Sequence, residues 1–282
     1  MKRIALFILF FGLYSSISAG NGEKKKEKEP QTRVLIHTDL GDIKILLYNE
    51  TPKHRDNFIK LVKQGTLNNT IFHRVIEGFI IQGGDPDSKS APAGTMLGNG
   101  SLGHTIPAEI NPALFHKKGA LAAARLGDDV NPNKESSDCQ FYIVHGRTFS
   151  DTLLSIEEMQ LKQAMMQQIF NEYVAKPENF GFRDKFIRLN NERKLDSMQI
   201  LALQVQPFID SELVKRNPHK FSPEQRKIYS TIGGAPHLDG GYTVFGEVYE
   251  GLDVVDKIAT VEKDQNDRPK TDIHMTFTLI KK

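Results

Sequence analysis

Phe72-His73-Arg74-Val75-Ile76-Glu77-Gly78-Phe79-Ile80-Ile81-Gln82-Gly83-Gly84-Asp85 is the stretch that decides the fold of this chain. Apolar and polar residues alternate in its first half, as in a half-buried strand. The pattern breaks at Gly78, resumes as an apolar run and ends in a Gly-Gly-Asp-Pro turn. Within it stand a cation that keeps its charge (Arg74), an aromatic wall (Phe79) and an amide (Gln82). An apolar pocket with a few fixed polar groups is the usual form of a small-ligand site. The stretch holds no nucleophile–base pair and no metal-ligand cluster, so the expected chemistry is holding and polarising a substrate.

Working outward, the bulk properties exclude several classes. The chain has 282 residues, a formal charge of +2 that includes Lys2 and Arg3, and a mean hydropathy of −0.40. That balance gives no bulk affinity for nucleic acid. Cys139 is the only cysteine, so no internal disulfide can form. The nine histidines show no His-x-x-x-His spacing, and no metal site or cofactor is expected. Gly83-Gly84 is followed by no Gly-Lys-Ser/Thr and reads as a turn.

The N-terminus reads as an export signal over residues 1–20. Met1-Lys2-Arg3 is a positive start, residues 4–14 are an apolar run too short to span a bilayer comfortably, and small residues allow cleavage after Ala19 or Gly20. The competing reading is an uncleaved membrane anchor. Export to a periplasm is the expected destination, ahead of full secretion. Residues 21–31 follow as a charged, solvated linker.

From there the chain divides into a β part (32–149), a helical insertion (150–230) and a second β part (231–282). In the first part, a hairpin turns at Asp39-Leu40-Gly41-Asp42. Thr51-Pro52 then opens a helix as N-cap and first turn, and Gly65 stops it. A Gly/Ser/Pro/Asn-rich stretch covers 83–111, and strands follow over 119–125 and 140–144. In the insertion, Ser155-Ile156-Glu157-Glu158 fits a capping box, Pro177 ends a helix, further helices span 182–194 and 196–216, and Ser222-Pro223 starts a fourth. In the second β part, strands over 242–248 and 273–280 flank a short helix over 251–260.

The decisive stretch resembles the signature of the cyclophilins, the peptidyl-prolyl cis–trans isomerases. The resemblance continues in order through Gly119-Ala120-Leu121-Ala122-Ala123-Ala124-Arg125, Cys139-Gln140-Phe141-Tyr142-Ile143 and Leu238-Asp239-Gly240-Gly241-Tyr242-Thr243-Val244-Phe245-Gly246, and so covers both β parts. It implies a mainly β fold: a closed eight-stranded antiparallel barrel capped by two helices, here carrying an inserted helical module. It also implies acceleration of X–Pro rotation in exported proteins by non-covalent stabilisation of the twisted amide, without a cofactor.

Residue by residue, the resemblance makes Arg74 the catalytic arginine and Gln82 the group that orients it. Phe79, Ile80, Tyr142 and Leu238 become walls of the proline pocket. Ala124 and Gln140 line the groove for the residue before proline. There are departures. Arg125 and Tyr242 are also substrate-binding candidates at the rim, but Arg125 stands where many members carry Asn, Tyr142 where Phe is common, and Tyr242 where many eukaryotic members carry His. His237 stands where cyclosporin-sensitive members carry Trp, which argues against a tight cyclosporin complex. The implied partners are proline-containing peptides and unfolded exported proteins, with no stable membrane insertion once the signal is cleaved. Two other readings stand beside this one. The barrel can be a scaffold for a non-enzymatic chaperone whose insertion grips clients, or the insertion can serve dimerisation.

Overall fold

The structure is a computed structural model that describes residues 30–218 and 220–281. The predicted signal segment and residues 21–29 of the linker lie outside the described residues. In chain order the elements are β1 (Arg33–Thr38), β2 (Gly41–Leu47), α1 (Pro52–Gln64), β3 (Phe72–Ile76), β4 (Ile80–Gly83), β5 (Thr105–Ile106), β6 (Ala120–Ala123), β7 (Ser136–Ser137) and β8 (Phe141–Val144). The helices α2 (Asp151–Ala175), α3 (Phe180–Asn191), α4 (Leu195–Leu203), α5 (Gln206–Arg216) and α6 (Pro223–Thr231) come next. β9 (Val244–Glu250), α7 (Leu252–Ala259) and β10 (Met275–Leu279) complete the chain.

Eight strands form one sheet in the order β10-β1-β2-β9-β6-β8-β4-β3, with every pair antiparallel; β5 and β7 pair separately. The sheet curls until its edges meet. The seam is narrow: an Ile71–His274 bridge, flanked by Phe72 N–H to Ile273 O (3.1 Å) and Met275 N–H to Thr70 O (2.9 Å). The expected closed barrel is therefore a curled sheet joined by this seam rather than by a full ladder.

Strand parity divides the side chains between two faces. Odd positions Ile81, Leu121, Phe141 and Ile143 fill the interior with Val34, Ile36, Ile43, Ile45, Phe72 and Val75. Phe58, Leu61 and Val62 of α1, and Val254, Val255 and Ile258 of α7, pack into the same core. Phe58 and Phe277 meet Phe141 edge to face. Even positions Ile80, Ala120, Ala122, Tyr142 and Val144 form a second cluster with Ala235, Leu238 and Val244. Burying one such large side chain stabilises the fold by roughly 1.5–3 kcal/mol, so a one-residue register slip would forfeit both clusters.

Two predicted caps are corrected. Thr51 precedes α1 as expected, but its buried hydroxyl makes no capping bond. The carboxylate of Glu109 does that work, accepting from the N–H groups of Lys53 and His54 (both 3.0 Å). Its Oε2 also holds His54 Nδ1 at 2.7 Å, and His54 Nε2 meets Ser136 Oγ at 2.9 Å. The Glu-His-Ser order is that of an acyl-transfer triad, but His54 is 2% and Ser136 1% exposed, so no substrate reaches it. Burial, opposed by Glu109, lowers the His54 pKa. In the insertion, Ser155 is not a cap: it lies inside α2, whose N-cap is Ser150, accepting from Leu153 N–H at 3.2 Å. The helix expected over 196–216 is two helices, breaking just before Pro207. Ser222 does form a capping box, with Gln225.

The insertion leaves and rejoins the β part at one point. Arg147 and Gly234 exchange backbone bonds (3.1 and 2.9 Å), and Lys118 N–H reaches Gly233 O at 2.9 Å. Gly234 is required there, since a Cβ would stand 2.2 Å from His116 O and 2.5 Å from the Tyr229 ring. The helices have two small cores. Phe149, Leu154, Phe221 and Tyr229 form one; Ile169, Val205, Ile209 and Leu213, with Met165 and Met166, form the other. Met159, on the same helix as Met165 and Met166, is exposed.

Glu109→Ala removes two helix-capping acceptors and the partner of buried His54. It should cost about 2–4 kcal/mol in urea unfolding. Glu109→Gln, which keeps one carbonyl acceptor, should recover part of that loss.

Candidate active site

The same parity that fills the interior sets out the candidate site on the opposite face. Across neighbouring strands Arg74 pairs with Gln82, Gln82 with Tyr142, and Tyr142 with Ala122. Residues dispersed in sequence thus stand in one row. A register shift between Phe72 and Arg74 bends β3, which lets both Phe72 and Val75 face the core while Arg74 faces out.

A relay of side-chain bonds orients the polar groups. Arg74 Nη1 donates to Gln82 Oε1 (3.5 Å), and Gln82 Nε2 donates to Gln140 Oε1 (3.3 Å). Gln140 Nε2 donates in turn to the carbonyls of Gly98 (3.0 Å) and Gly100 (2.8 Å). The Gln82 carbonyl is therefore turned toward the guanidinium. The loop under Gln140 is held by two buried acids that sequence reading had not singled out. Asp85 accepts from the N–H groups of Gly98 and Gly100, and Asp138 accepts from those of Leu102 (2.8 Å) and His104 (3.1 Å). A Cβ on Gly100 would stand 2.0 Å from Asp85 Oδ1. The turn dipeptides around Asp85 and the Gly-Asn-Gly run were the available signals.

The predicted apolar walls come together. Ile80, Tyr142 and Leu238 are buried in one cluster, and half-buried Phe79 packs against it. His237 lies on Phe79, with ring centroids 5.1 Å apart. The turn carrying Phe79 is tied to the root of the insertion, because Phe79 O accepts from the N–H groups of His145 and Gly146 (both 3.0 Å). Beside these walls runs a groove of 340 Å³ lined by Gln82, Gly98, Gly100, Ala124, Arg125 and Gln140.

The Arg125 guanidinium is held at several points. Its Nε donates to Gly241 O (2.7 Å), its Nη1 to Leu126 O (2.8 Å), and its Nη2 pairs with Asp128 (2.6 Å). Its guanidinium carbon sits 4.5 Å from the centroid of the Tyr242 ring. Arg125 and Tyr242 therefore form one brace between the groove and the segment that carries Leu238. Tyr242 also meets Tyr142 edge to face at 5.9 Å. The Tyr142 hydroxyl turns to His116 Nε2, 3.0 Å away.

His73, next to the catalytic candidate, is buried, and neither ring nitrogen has a hydrogen-bond partner. Burial lowers its pKa to about 4; Asp85 opposes the shift, and the cations of Arg74 and Arg268 add to it. The unfolded chain then binds a proton near pH 6.5 that the folded chain refuses. This contribution to stability is complete above pH 6.5 and is lost as the pH falls from 6.5 to about 4, by on the order of 3 kcal/mol. Titration of the His73 ring signals by NMR should show a neutral imidazole throughout the range from pH 7 to about 5.

The described residues contain no group of three or more His, Cys, Asp or Glu that could hold a metal ion. No described helix is long and apolar enough to cross a membrane.

Comparison with known proteins gives the lineage. Residues 33–156 and 222–278 match the family model of the cyclophilin type peptidyl-prolyl cis-trans isomerase/CLD, which leaves 157–221 unmatched. A putative peptidyl-prolyl cis-trans isomerase of Staphylococcus saprophyticus is 26% identical over 244 residues, covering 86% of this chain and 88% of the relative. A putative bifunctional phosphatase/peptidyl-prolyl cis-trans isomerase of Streptococcus pyogenes is 28% identical over 251 residues; the match covers 88% of this chain but only 38% of that longer relative. Among solved structures, a Cryptosporidium parvum cyclophilin type peptidyl-prolyl cis-trans isomerase shares the fold at a TM-score of 0.50 and 21% identity, over 89% of this chain and 99% of that one. With nearly two-thirds of its length in the family match, the chain belongs to the cyclophilin-type peptidyl-prolyl cis-trans isomerase family.

Proposed function

We propose that this chain accelerates rotation about X–Pro bonds in proteins undergoing export, and that Arg74 does so without bonding to the substrate. The observation that carries the reading is the placement of the Arg74 guanidinium against Gln82, beside the apolar walls Ile80, Tyr142 and Leu238.

Amide resonance opposes rotation with a barrier of roughly 18–20 kcal/mol, and X–Pro bonds exchange over tens to hundreds of seconds. In the twisted transition state conjugation is lost, and the prolyl nitrogen becomes pyramidal and carries a lone pair. A guanidinium aimed at that nitrogen is attracted more strongly there than to the planar ground state, which is the differential binding that raises a rate. Arginine suits this work because it stays charged and presents a rigid fan of donors. Gln82 holds the fan in place while itself fixed by Gln140. Phe79, Ile80, Tyr142 and Leu238 grip the ring while the acyl side turns. The groove along Ala124 and Gln140 takes the residue before proline. No cofactor enters this scheme.

Export is inferred from the signal-like residues 1–20, and clients are proline-containing, incompletely folded proteins of the periplasm. N-terminal sequencing of the chain from an exporting host should find cleavage after Ala19 or Gly20.

One observation favours a second reading, in which the insertion holds clients as a chaperone. Phe180, Ile187, Ile200, Leu203 and Val214 on its helices are exposed. In that case Ile200→Asp with Leu203→Asp would abolish suppression of client aggregation, while Arg74→Ala would leave it intact.

The deciding measurement is cis–trans exchange of an Ala-Pro peptide by NMR. Arg74→Ala should lower kcat/KM by about 10²–10³, the usual loss for one transition-state donor, with unfolding midpoint unchanged. Arg74→Lys should recover little, since a point charge lacks the fan of donors. A folded wild type with no acceleration would sink the isomerase reading.

A further inference from the structure

The Tyr142 hydroxyl belongs to a buried chain of polar groups that ends in α6. His116 Nε2 lies 3.0 Å from Tyr142 Oη, and the two rings are stacked, with planes 17° apart. On its other side, His116 presents both Nδ1 (2.8 Å) and its backbone N–H (2.9 Å) to Asp239 Oδ1. Asp239 Oδ2 accepts from the Tyr229 hydroxyl at 2.6 Å. Tyr229 belongs to α6. Of the four, the most exposed is Asp239, at 6%.

The roles in this chain are complementary. A carboxylate only accepts, so His116 Nδ1 carries the proton shared with Asp239, and Nε2 faces the Tyr142 hydroxyl. Burial drives the pKa of both phenols upward, so both remain donors. In a dry interior such a chain orients its members strongly, and a broken link leaves a neighbour unsatisfied.

The insertion does not need this chain to stay attached. Its root is held by the Arg147–Gly234 backbone pair, and Gln225 reaches Pro112 O at 3.3 Å. An aromatic ring at position 142 would also pack on Ile80 and Leu238 without a hydroxyl. What the hydroxyl adds is a fixed orientation for the wall that stands across from Gln82. Catalysis by positioning is sensitive to small displacements of such a wall.

We infer that Tyr229 is a positioning residue for the proline pocket, acting through Asp239 and His116 on the hydroxyl of Tyr142, so that α6 sets the geometry of the site. The inference rests on the isomerase reading above.

The test is a double-mutant cycle on the purified protein, with kcat and KM for Ala-Pro peptide exchange read by NMR. Tyr229→Phe and Tyr142→Phe should each lower kcat about three- to tenfold, the scale of one hydrogen bond, with KM moved less than about twofold. Tyr229→Phe should add nothing in the Tyr142→Phe background. Equal losses in both backgrounds would mark a general effect of α6 and overturn the inference. So would a full rate in Tyr142→Phe, a variant that keeps the ring and tests the tether even if Tyr229→Phe fails to fold. Wild-type activity with unchanged variants overturns the inference alone. An inactive wild type sinks the isomerase reading, and the tether is then judged by peptide Kd: equal Kd for wild type and Tyr142→Phe overturns it.

Discussion

Successive side chains on a strand point to opposite faces, and in this chain that constraint generates the core and the site together. Along β4, β8 and β6, Ile81, Ile143 and Leu121 fill the barrel, while Gln82, Tyr142 and Ala122 line up outside it. Neither set can move without the other, since a one-residue slip would exchange them. The interior that stabilises the fold therefore also fixes where Arg74 stands relative to the pocket walls. The bend at His73 adjusts this pattern locally, turning Arg74 outward between two core residues.

What the strands leave loose, buried acids tighten. Asp85 and Asp138 gather the N–H groups of the loop beneath Gln140, and Glu109 gathers those at the start of α1. Each carboxylate satisfies backbone donors that an irregular segment would otherwise leave unpaired away from water. The polar relay from Arg74 to Gln82 to Gln140 ends on that organised loop. The guanidinium is thus oriented by a network whose far end is backbone. On the other side of the pocket, Asp239 performs the same service for the His116 backbone and connects the barrel to α6.

Much of this was legible in the chain. The strands, the flanking helices and the helical character between Tyr142 and Leu238 could be read from periodicity and turn residues, and the grouping of Ile80, Tyr142 and Leu238 in one cluster was implied by the cyclophilin resemblance. The errors share a cause. Thr51 and Ser155 carry good capping side chains, and local spacing suggested that they use them. In the structure a carboxylate distant in sequence, Glu109, displaces the first, and an earlier serine, Ser150, starts the helix that contains the second. The helix expected over 196–216 breaks before Pro207 for a reason visible in the sequence, the missing N–H of proline, which was outweighed there by the apolar spacing around it.

Which segments alternate and where the backbone turns follow from properties of neighbouring residues, and these were legible in the chain alone. Tertiary packing alone makes Arg125 and Tyr242 one brace, buries His73 with no hydrogen bond to either ring nitrogen, and links Tyr229 to Tyr142 through Asp239 and His116. Those outcomes depend on which groups from distant segments arrive at the same buried point, and hydrogen bonding there selects partners by geometry that no local pattern encodes.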